Sequence, residues 1–234
     1  MHLYIYCFLV SLCVVAVALF LSLRVVKRGE YSLIAKTFAS LVFVVLGFMS
    51  LLGSNYEATC TLITLGLVFG LVGDILLDLK VMHPEKSDAY LNTGMMAFGA
   101  GHVMYFFAIV TYISDKVVTG YGWVVLASLV FALLVGALIV RFAPQLKMNF
   151  SGFKIQNWLY SSVLIFMTLI STFLAFVVPQ AGMLAAGFIL FLASDLILSM
   201  QYFGGKQESA GLTIANHVLY YFAQIMIATF AFFI

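Results

Sequence analysis

The sequence consists of apolar runs of about twenty residues, separated by short segments that hold most of its charged residues. An α-helix of that length crosses the hydrocarbon core of a bilayer. The chain is 65% hydrophobic and 9% charged over 234 residues, whereas soluble domains contain about 25% charged residues. These features exclude a water-soluble globular protein and predict an integral membrane protein.

Breaks at charges, Gly and Pro divide the apolar runs into eight predicted membrane helices. The runs are continuous and do not alternate with polar residues, so a transmembrane β-barrel is excluded. We therefore predict an all-α polytopic membrane bundle, with residues 1–234 forming a single membrane domain. The predicted spans are residues 3–23, 33–53, 59–79, 91–113, 122–141, 158–178, 181–203 and 211–234.

The distribution of basic residues predicts the orientation of the helices, because cytoplasmic loops are enriched in Lys and Arg. The segments at the ends of predicted helices 1, 3, 5 and 7 hold nine Lys and Arg residues, and the segments on the opposite side hold only Lys116. This asymmetry predicts that both termini lie outside. The net charge of +2 provides no basic surface for nucleic acid, so the predicted partner is the lipid bilayer.

Polar positions of predicted helices 3 and 4 recur in helices 7 and 8. Residues 74–77 (DILL) resemble residues 195–198 (DLIL), and residues 102–108 match residues 217–223 at five of seven positions. Because each copy would contain four helices, both enter the membrane in the same direction. We predict two parallel four-helix repeats, approximately residues 1–141 and 157–234, joined by a cytoplasmic linker at 142–156.

Two aspartates in corresponding positions of these repeats, Asp74 and Asp195, are the strongest functional candidates. A central Asp costs about 2.5 to 3.5 kcal/mol on insertion scales, so an intramembrane carboxylate faces protein or water and is functional by default. Asp78 shares a helix face with Asp74 because four residues separate them. A location at the membrane interface explains Asp78 equally well.

Further polar residues of the spans are predicted to share one layer with the aspartates, in the cytoplasmic half, and to line one polar cavity. Those of predicted helix 8 follow the i, i+3, i+4, i+7 spacing of one helix face. Each also has a structural explanation, as an interfacial anchor for the lysine and as interhelical hydrogen bonds for the others. They are Lys36, His102, Tyr105, His217, Tyr220, Tyr221 and Gln224.

Two carboxylates in one cavity can differ in protonation when their environments differ. One then donates a proton while the other stabilises positive charge or activates water, as in cleavage through an oxocarbenium-like state. The sequence contains no G-x-S-x-G, H-E-x-x-H or phosphate-loop motif, and its three cysteines lack metal-site spacing. A serine esterase and a zinc peptidase are disfavoured, and neither a metal nor a cofactor is predicted.

Four short motifs occur in order along nearly the whole chain. They are Gly66-Leu67 with Phe69, Gly73-Asp74 and Leu77; Gly101-His102 with Tyr105; Gly187-Phe188 with Ser194-Asp195; and Tyr220-Tyr221 with Ala223-Gln224. In these motifs the chain resembles the YhhN-like lysoplasmalogenases, which have eight spans. Lys36 resembles a lysine of the family that is often followed by Pro, but in this chain the next residue is Thr37. Gly70 occupies a position where Ser is common in the family.

The resemblance implies hydrolysis of the vinyl ether bond of lysoplasmalogens, which releases a fatty aldehyde and glycerophosphoethanolamine or glycerophosphocholine. We expect Asp74 and Asp195 to act as the acid and as the stabilising or water-activating carboxylate, in either order. The other polar residues would orient water, the carboxylates or the substrate, and Lys36 would pair with the lipid phosphate. The alternatives are a proton-coupled transporter or permease, in which intramembrane carboxylates and repeats are also typical, and a non-catalytic lipid-binding protein.

Overall fold

The structure is a computed structural model that describes residues 2–26, 29–52, 54–55, 57–115, 120–206 and 209–234. Within these residues the chain forms eight α-helices and no β-strand, which confirms the predicted all-α fold. All eight are long and apolar enough to cross a membrane, as expected of an integral multi-pass protein. The helices are α1 (His2–Val25), α2 (Gly29–Ser50), α3 (Glu57–Met82), α4 (Ser87–Asp115), α5 (Gly122–Phe142), α6 (Lys154–Val177), α7 (Gly182–Phe203) and α8 (Ala210–Phe233).

The observed helices follow the predicted spans in order, but several begin earlier. α2 begins at Gly29 where residue 33 was predicted, α4 at Ser87 where residue 91 was predicted, and α6 at Lys154 where residue 158 was predicted. The prediction placed boundaries at polar and charged residues, whereas a helix continues into the headgroup layer, where such side chains are hydrated. Short 3-10 turns at Pro84–Lys86 and Pro179–Ala181 directly precede α4 and α7.

Some residues used in the sequence predictions lie outside the described residues. They are Lys27, Arg28 and Lys116, which entered the count of basic residues, and Gly53, the end of the second predicted span. The orientation with both termini outside therefore stays a prediction.

The apolar runs form helices because, in hydrocarbon, every backbone N–H and C=O must be hydrogen-bonded within the protein. The two sides of α5 differ as expected for a helix that faces lipid on one side. Its large side chains Leu126, Leu134 and Leu138 are exposed, whereas Ala132 and Gly136 are buried. An exposed apolar surface of this kind is compatible with acyl chains and not with water.

The helices group into two compact units. The first comprises residues 1–112 and 224–234, and the second comprises residues 113–223. In the first unit α2 packs against α1 and α3, and in the second unit α6 packs against α5 and α7. The predicted repeat halves, 1–141 and 157–234, divide the chain at another place and stay a prediction.

The predicted linker, residues 142–156, packs onto the end of α7. The backbone N–H of Asn149 donates a hydrogen bond of 2.8 Å to the carbonyl oxygen of Phe203. The buried ring of Phe150 meets the ring of Phe203 edge-on, with ring centroids 4.9 Å apart. These contacts fix the connection between α5 and α6 within the second unit.

Candidate functional site

Two cations and two anions join α1, α2 and α3 in the first unit. The ammonium of Lys36 lies 3.2 Å from Oδ1 of Asp74 and 3.1 Å from Oδ1 of Asp78. The guanidinium of Arg24 pairs with the other carboxylate oxygen of Asp78. Ser40 donates a hydrogen bond of 2.6 Å to Oδ2 of Asp74. Arg24, Lys36, Asp74 and Asp78 are called the charge network below.

Helix periodicity explains why these residues meet. Lys36 and Ser40 are one turn apart on α2, and Asp74 and Asp78 are one turn apart on α3, so each pair occupies a single helix face. The two helices pack against each other and run antiparallel, since a Cβ on Gly29 at the start of α2 would lie 3.3 Å from the Met82 sulfur at the end of α3. The helix face of α2 that carries Lys36 and Ser40 therefore lies opposite the face of α3 that carries Asp74 and Asp78.

Three of the four members of the charge network are buried, and its charges balance. The side chains of Lys36, Asp74 and Asp78 are 4%, 3% and 6% exposed. Two positive and two negative groups sum to zero, which avoids the large penalty of an unpaired charge in a medium of low dielectric constant. Phe20, which is fully buried, completes the packing, with its ring centroid 5.5 Å from the Arg24 guanidinium carbon and 5.9 Å from the Lys36 ammonium.

A second polar group of the first unit lies on α4 and on the last turns of α8. Tyr105 donates a hydrogen bond of 3.1 Å to Oε1 of Gln224, and both side chains are buried. The ring of His102 meets the ring of Tyr105 edge-on at 5.9 Å. Of the residues singled out in the sequence, the first unit thus brings Tyr105 together with Gln224 and with His102.

The motif glycines allow α3 and α4 to approach closely. A Cβ on Gly66 would overlap the ring of Tyr105, and a Cβ on Gly73 would overlap the ring of Phe98. A Cβ on Gly101 would lie 3.0 Å from the Gly66 carbonyl oxygen. These glycines therefore set the position of Tyr105 relative to α3.

In the second unit two hydroxyl groups lie close to the carboxylate of Asp195 of α7. Tyr160 of α6 donates a hydrogen bond of 2.6 Å to Oδ2 of Asp195, and Ser194 lies 3.3 Å from Oδ1. Asn216 of α8 donates a hydrogen bond of 2.7 Å to the carbonyl oxygen of Ser194 and so ties α8 to this part of α7. Asp195 is 7% exposed. Tyr160, Ser194 and Asp195 are called the hydroxyl cluster below.

Other sequence-predicted residues of α8 lie near the hydroxyl cluster in the second unit. Tyr220 meets the ring of Phe191 edge-on at 5.4 Å and the ring of Tyr221 at 5.2 Å. Both tyrosines are buried. The predicted face of α8 is therefore divided between the two units, because Gln224 belongs to the first.

The two histidines make the same local contact. Nδ1 of His102 lies 2.7 Å from the carbonyl oxygen of Phe98, and Nδ1 of His217 lies 2.8 Å from that of Thr213, four residues earlier in each case. A carbonyl oxygen only accepts, so Nδ1 is the donor in both rings. Nε2 is then the acceptor nitrogen of each ring in its neutral form.

Sequence reasoning missed three residues of these sites. Arg24 entered only the count of basic residues, although it is one of the two cations on Asp78. Ser40 lies one turn after Lys36, a spacing that could have indicated it. Tyr160 had no signal, because nothing in the spacing of α6 connects it with Asp195. The prediction that Asp74 and Asp195 line one cavity stays a prediction.

The sequence model of the YhhN family matches residues 31–230. The chain belongs to the YhhN family. The matched residues include Asp74, Asp195 and all the other sequence-predicted site residues of this YhhN protein, from Lys36 to Gln224. Arg24 lies before the matched residues. No curated protein and no solved structure matches the chain.

Proposed function

We propose that this YhhN protein is a lysoplasmalogenase, which hydrolyses the vinyl ether bond of a single-chain glycerophospholipid. The products are a fatty aldehyde and the corresponding glycerophospho-base. Family membership supports this class of activity. The substrate class also suits a protein whose eight helices can all cross a membrane, because a lysolipid partitions into the bilayer and presents its bond near the interface.

Acid chemistry alone is sufficient for this reaction. A proton adds to the outer carbon of the vinyl ether, and the positive charge that develops is shared between the inner carbon and the ether oxygen. Water adds to the inner carbon and loses a proton, which gives a hemiacetal. The hemiacetal then releases the glycerol oxygen, which takes up a proton, and leaves the aldehyde. The reaction consumes one water and regenerates the acid.

Two carboxylic groups can supply the roles that this reaction needs, namely a proton donor and an anion that stabilises the oxocarbenium ion or activates water. In the proposal Asp74 and Asp195 have these roles. The geometry of the first unit supports a functional Asp74, because Lys36 and Ser40 hold its two oxygens in fixed positions. In the second unit Tyr160 holds one oxygen of Asp195 in the same way.

The observation that carries the proposal is the burial of Asp74 within a candidate membrane span of a YhhN chain, where a carboxylate is retained only at considerable cost. Ordinary helix packing in a membrane uses small residues and neutral polar groups. Asp74 directly follows Gly73 in the first of the four sequence motifs. A paired and buried carboxylate at this position is better explained by a role in catalysis than by helix packing.

The experiment compares three lipids with the same chain length and headgroup. Purified protein is incubated with a lysoplasmalogen, with its saturated ether analogue and with its ester analogue, and aldehyde and fatty acid are measured. The proposal predicts aldehyde from the vinyl ether and no product from the other two. Release of fatty acid from the ester would instead indicate an esterase. Flux of lipid into sealed vesicles without any product would favour the transporter.

We also propose that both termini lie outside and that the charge network lies in the cytoplasmic half of the membrane. The excess of basic residues in the segments at the ends of α1, α3, α5 and α7 supports this orientation. Epitope tags at the two termini should be reached by antibody in intact cells. Labelling of both tags only after permeabilisation would reverse the orientation.

A further inference from the structure

Arg24 differs from the other members of the charge network in its access to the surroundings. Its side chain is 17% exposed, whereas the side chains of Lys36 and Asp78 are 4% and 6% exposed. It is the next-to-last residue of the candidate span Leu3–Val25, a position at which a basic side chain is expected at the level of the lipid headgroups. Arg24 is the member of the network that an incoming lipid meets first.

The contacts of the network leave Arg24 available for a further anion. The ammonium of Lys36 is shared between two carboxylates. Arg24 pairs with Asp78 through Nη2, and its Nε is buried and has no hydrogen-bond partner among the described residues, so an anion reaches it only when the side chain turns outward. Because Asp78 also has Lys36 at 3.1 Å, it keeps a cationic partner when Arg24 turns to another anion.

The depth of Arg24 corresponds to the position of a lysolipid phosphate. Asp74 and Asp78 are four residues apart, which is about 6 Å along a helix axis, and Asp78 is nearer the end of α3. The glycerol backbone separates the vinyl ether oxygen from the phosphorus by about five bonds, a comparable length at ordinary bond lengths. A vinyl ether at the depth of Asp74 therefore has its phosphate at the depth of Asp78 and Arg24.

We propose that Arg24 binds the headgroup phosphate of the lysolipid and exchanges its contact with Asp78 for the phosphate when the lipid binds. This proposal rests on the proposed function for the location of the reacting bond. A guanidinium suits the task because it presents a planar fork of donors that matches two phosphate oxygens. The ligand class is a single-chain lipid with a glycerophospho headgroup. Lys36 then serves to position the two aspartates and does not contact the phosphate.

The test measures binding and does not depend on hydrolysis. Purified protein in micelles is titrated with a saturated 1-O-alkyl glycerophosphoethanolamine and with the matching 1-O-alkyl glycerol, which lacks the phosphate. Wild-type protein should bind the phospholipid about 10- to 100-fold more tightly, the range expected for charge-assisted hydrogen bonds. Inorganic phosphate without a tail should bind far more weakly than the phospholipid. Equal binding of inorganic phosphate would overturn the assignment to a lipid headgroup.

The variants separate phosphate binding from a purely structural ion pair. Arg24→Gln should lose the preference for the phospholipid while binding of the alkyl glycerol is unchanged, and Arg24→Lys should keep part of the preference. Asp78→Asn should keep the preference, because it frees Arg24 without removing it. The matched control is Arg141→Gln, which changes an exposed arginine in the last turn of α5 and should have no effect.

Two results would overturn the proposal. One is an equal loss of affinity for both lipids in Arg24→Gln, and the other is the same loss of preference in Asp78→Asn as in Arg24→Gln. Either result would show that Arg24 acts only by pairing with Asp78. If wild-type protein keeps the Arg24-dependent preference but releases no aldehyde from a lysoplasmalogen, the headgroup site stands and the proposed function fails.

Discussion

The surroundings of Asp74 and Asp195 differ although the sequence around the two residues is similar. In the first unit, Asp74 lies in a network of fixed charges with Lys36 3.2 Å away. In the second unit, Asp195 accepts a hydrogen bond of 2.6 Å from the hydroxyl of Tyr160, and α7 and α8 contain no Lys or Arg at all. Equivalent residues in a sequence repeat can thus be held by different chemistry.

This difference matters for the proposed reaction, which needs two carboxylic groups in different roles. An ammonium at ion-pair distance stabilises the negative charge of a carboxylate, whereas hydroxyl groups are neutral donors. The histidines show the opposite behaviour, since His102 and His217 make the same contact with a carbonyl four residues earlier. The local backbone contact is preserved while the partners of the carboxylates are not.

The largest expected effect on stability is that of removing the shared cation of the charge network. Lys36→Met leaves Asp74 and Asp78 buried without their common ammonium, which should cost about 3 to 5 kcal/mol of unfolding free energy. Thermal unfolding in detergent measures this loss. Adding Asp74→Asn to Lys36→Met should recover part of it, because Asp78 still pairs with Arg24 and the anion left without a cation is removed. A Lys36→Met protein as stable as wild type would show that the network is not a buried ion cluster.

Glycine substitutions compare close packing in the two units. Gly66→Ala drives a methyl group into the ring of Tyr105, which should cost about 1 to 3 kcal/mol. Gly136→Ala in the second unit meets the hydroxyl of Ser162, which can rotate away, and then lies 3.1 Å from the backbone oxygen of Trp158, a milder contact than that with the Tyr105 ring, so the cost should be smaller. Gly99→Ala is the control, since nothing lies within 4 Å of its added Cβ. We expect the unfolding temperature to be highest for Gly99→Ala, lower for Gly136→Ala and lowest for Gly66→Ala. A Gly66→Ala protein with the wild-type unfolding temperature would contradict the close approach of α3 and α4.

The smallest expected effects come from the hydroxyl donors on the two aspartates. Tyr160→Phe removes the donor to Asp195 and should cost about 1 to 2 kcal/mol. Ser40→Ala removes the donor to Asp74 and should cost at most about 1 kcal/mol, because Lys36 still holds that carboxylate. Chemical denaturation of the two variants side by side measures the difference. A larger loss in Ser40→Ala than in Tyr160→Phe would reverse the comparison between the two sites.

The sequence was sufficient to predict the helices but only part of the sites. Continuous apolar runs require helices in a membrane, so their number and order follow from composition and breaks. Lys36 and Asp78 were identified because charges inside spans are costly. The pairing of Arg24 with Asp78 depends on how α1 and α3 each pack against α2, and the contact of Tyr160 with Asp195 depends on the rotation of α6. Neither packing nor rotation is specified by the spacing of residues along one helix.

The most direct test of the central claim is the rate of aldehyde release from a lysoplasmalogen by Asp74→Asn and Asp195→Asn, with Asp88→Asn at an exposed position of α4 as the control. Because both carboxylic groups are proposed to act in the reaction, each of the first two variants should lose activity by about 10²- to 10⁴-fold while remaining folded and inserted in the membrane. Asp88→Asn should retain the wild-type rate. Wild-type activity in folded Asp74→Asn or folded Asp195→Asn would contradict the account.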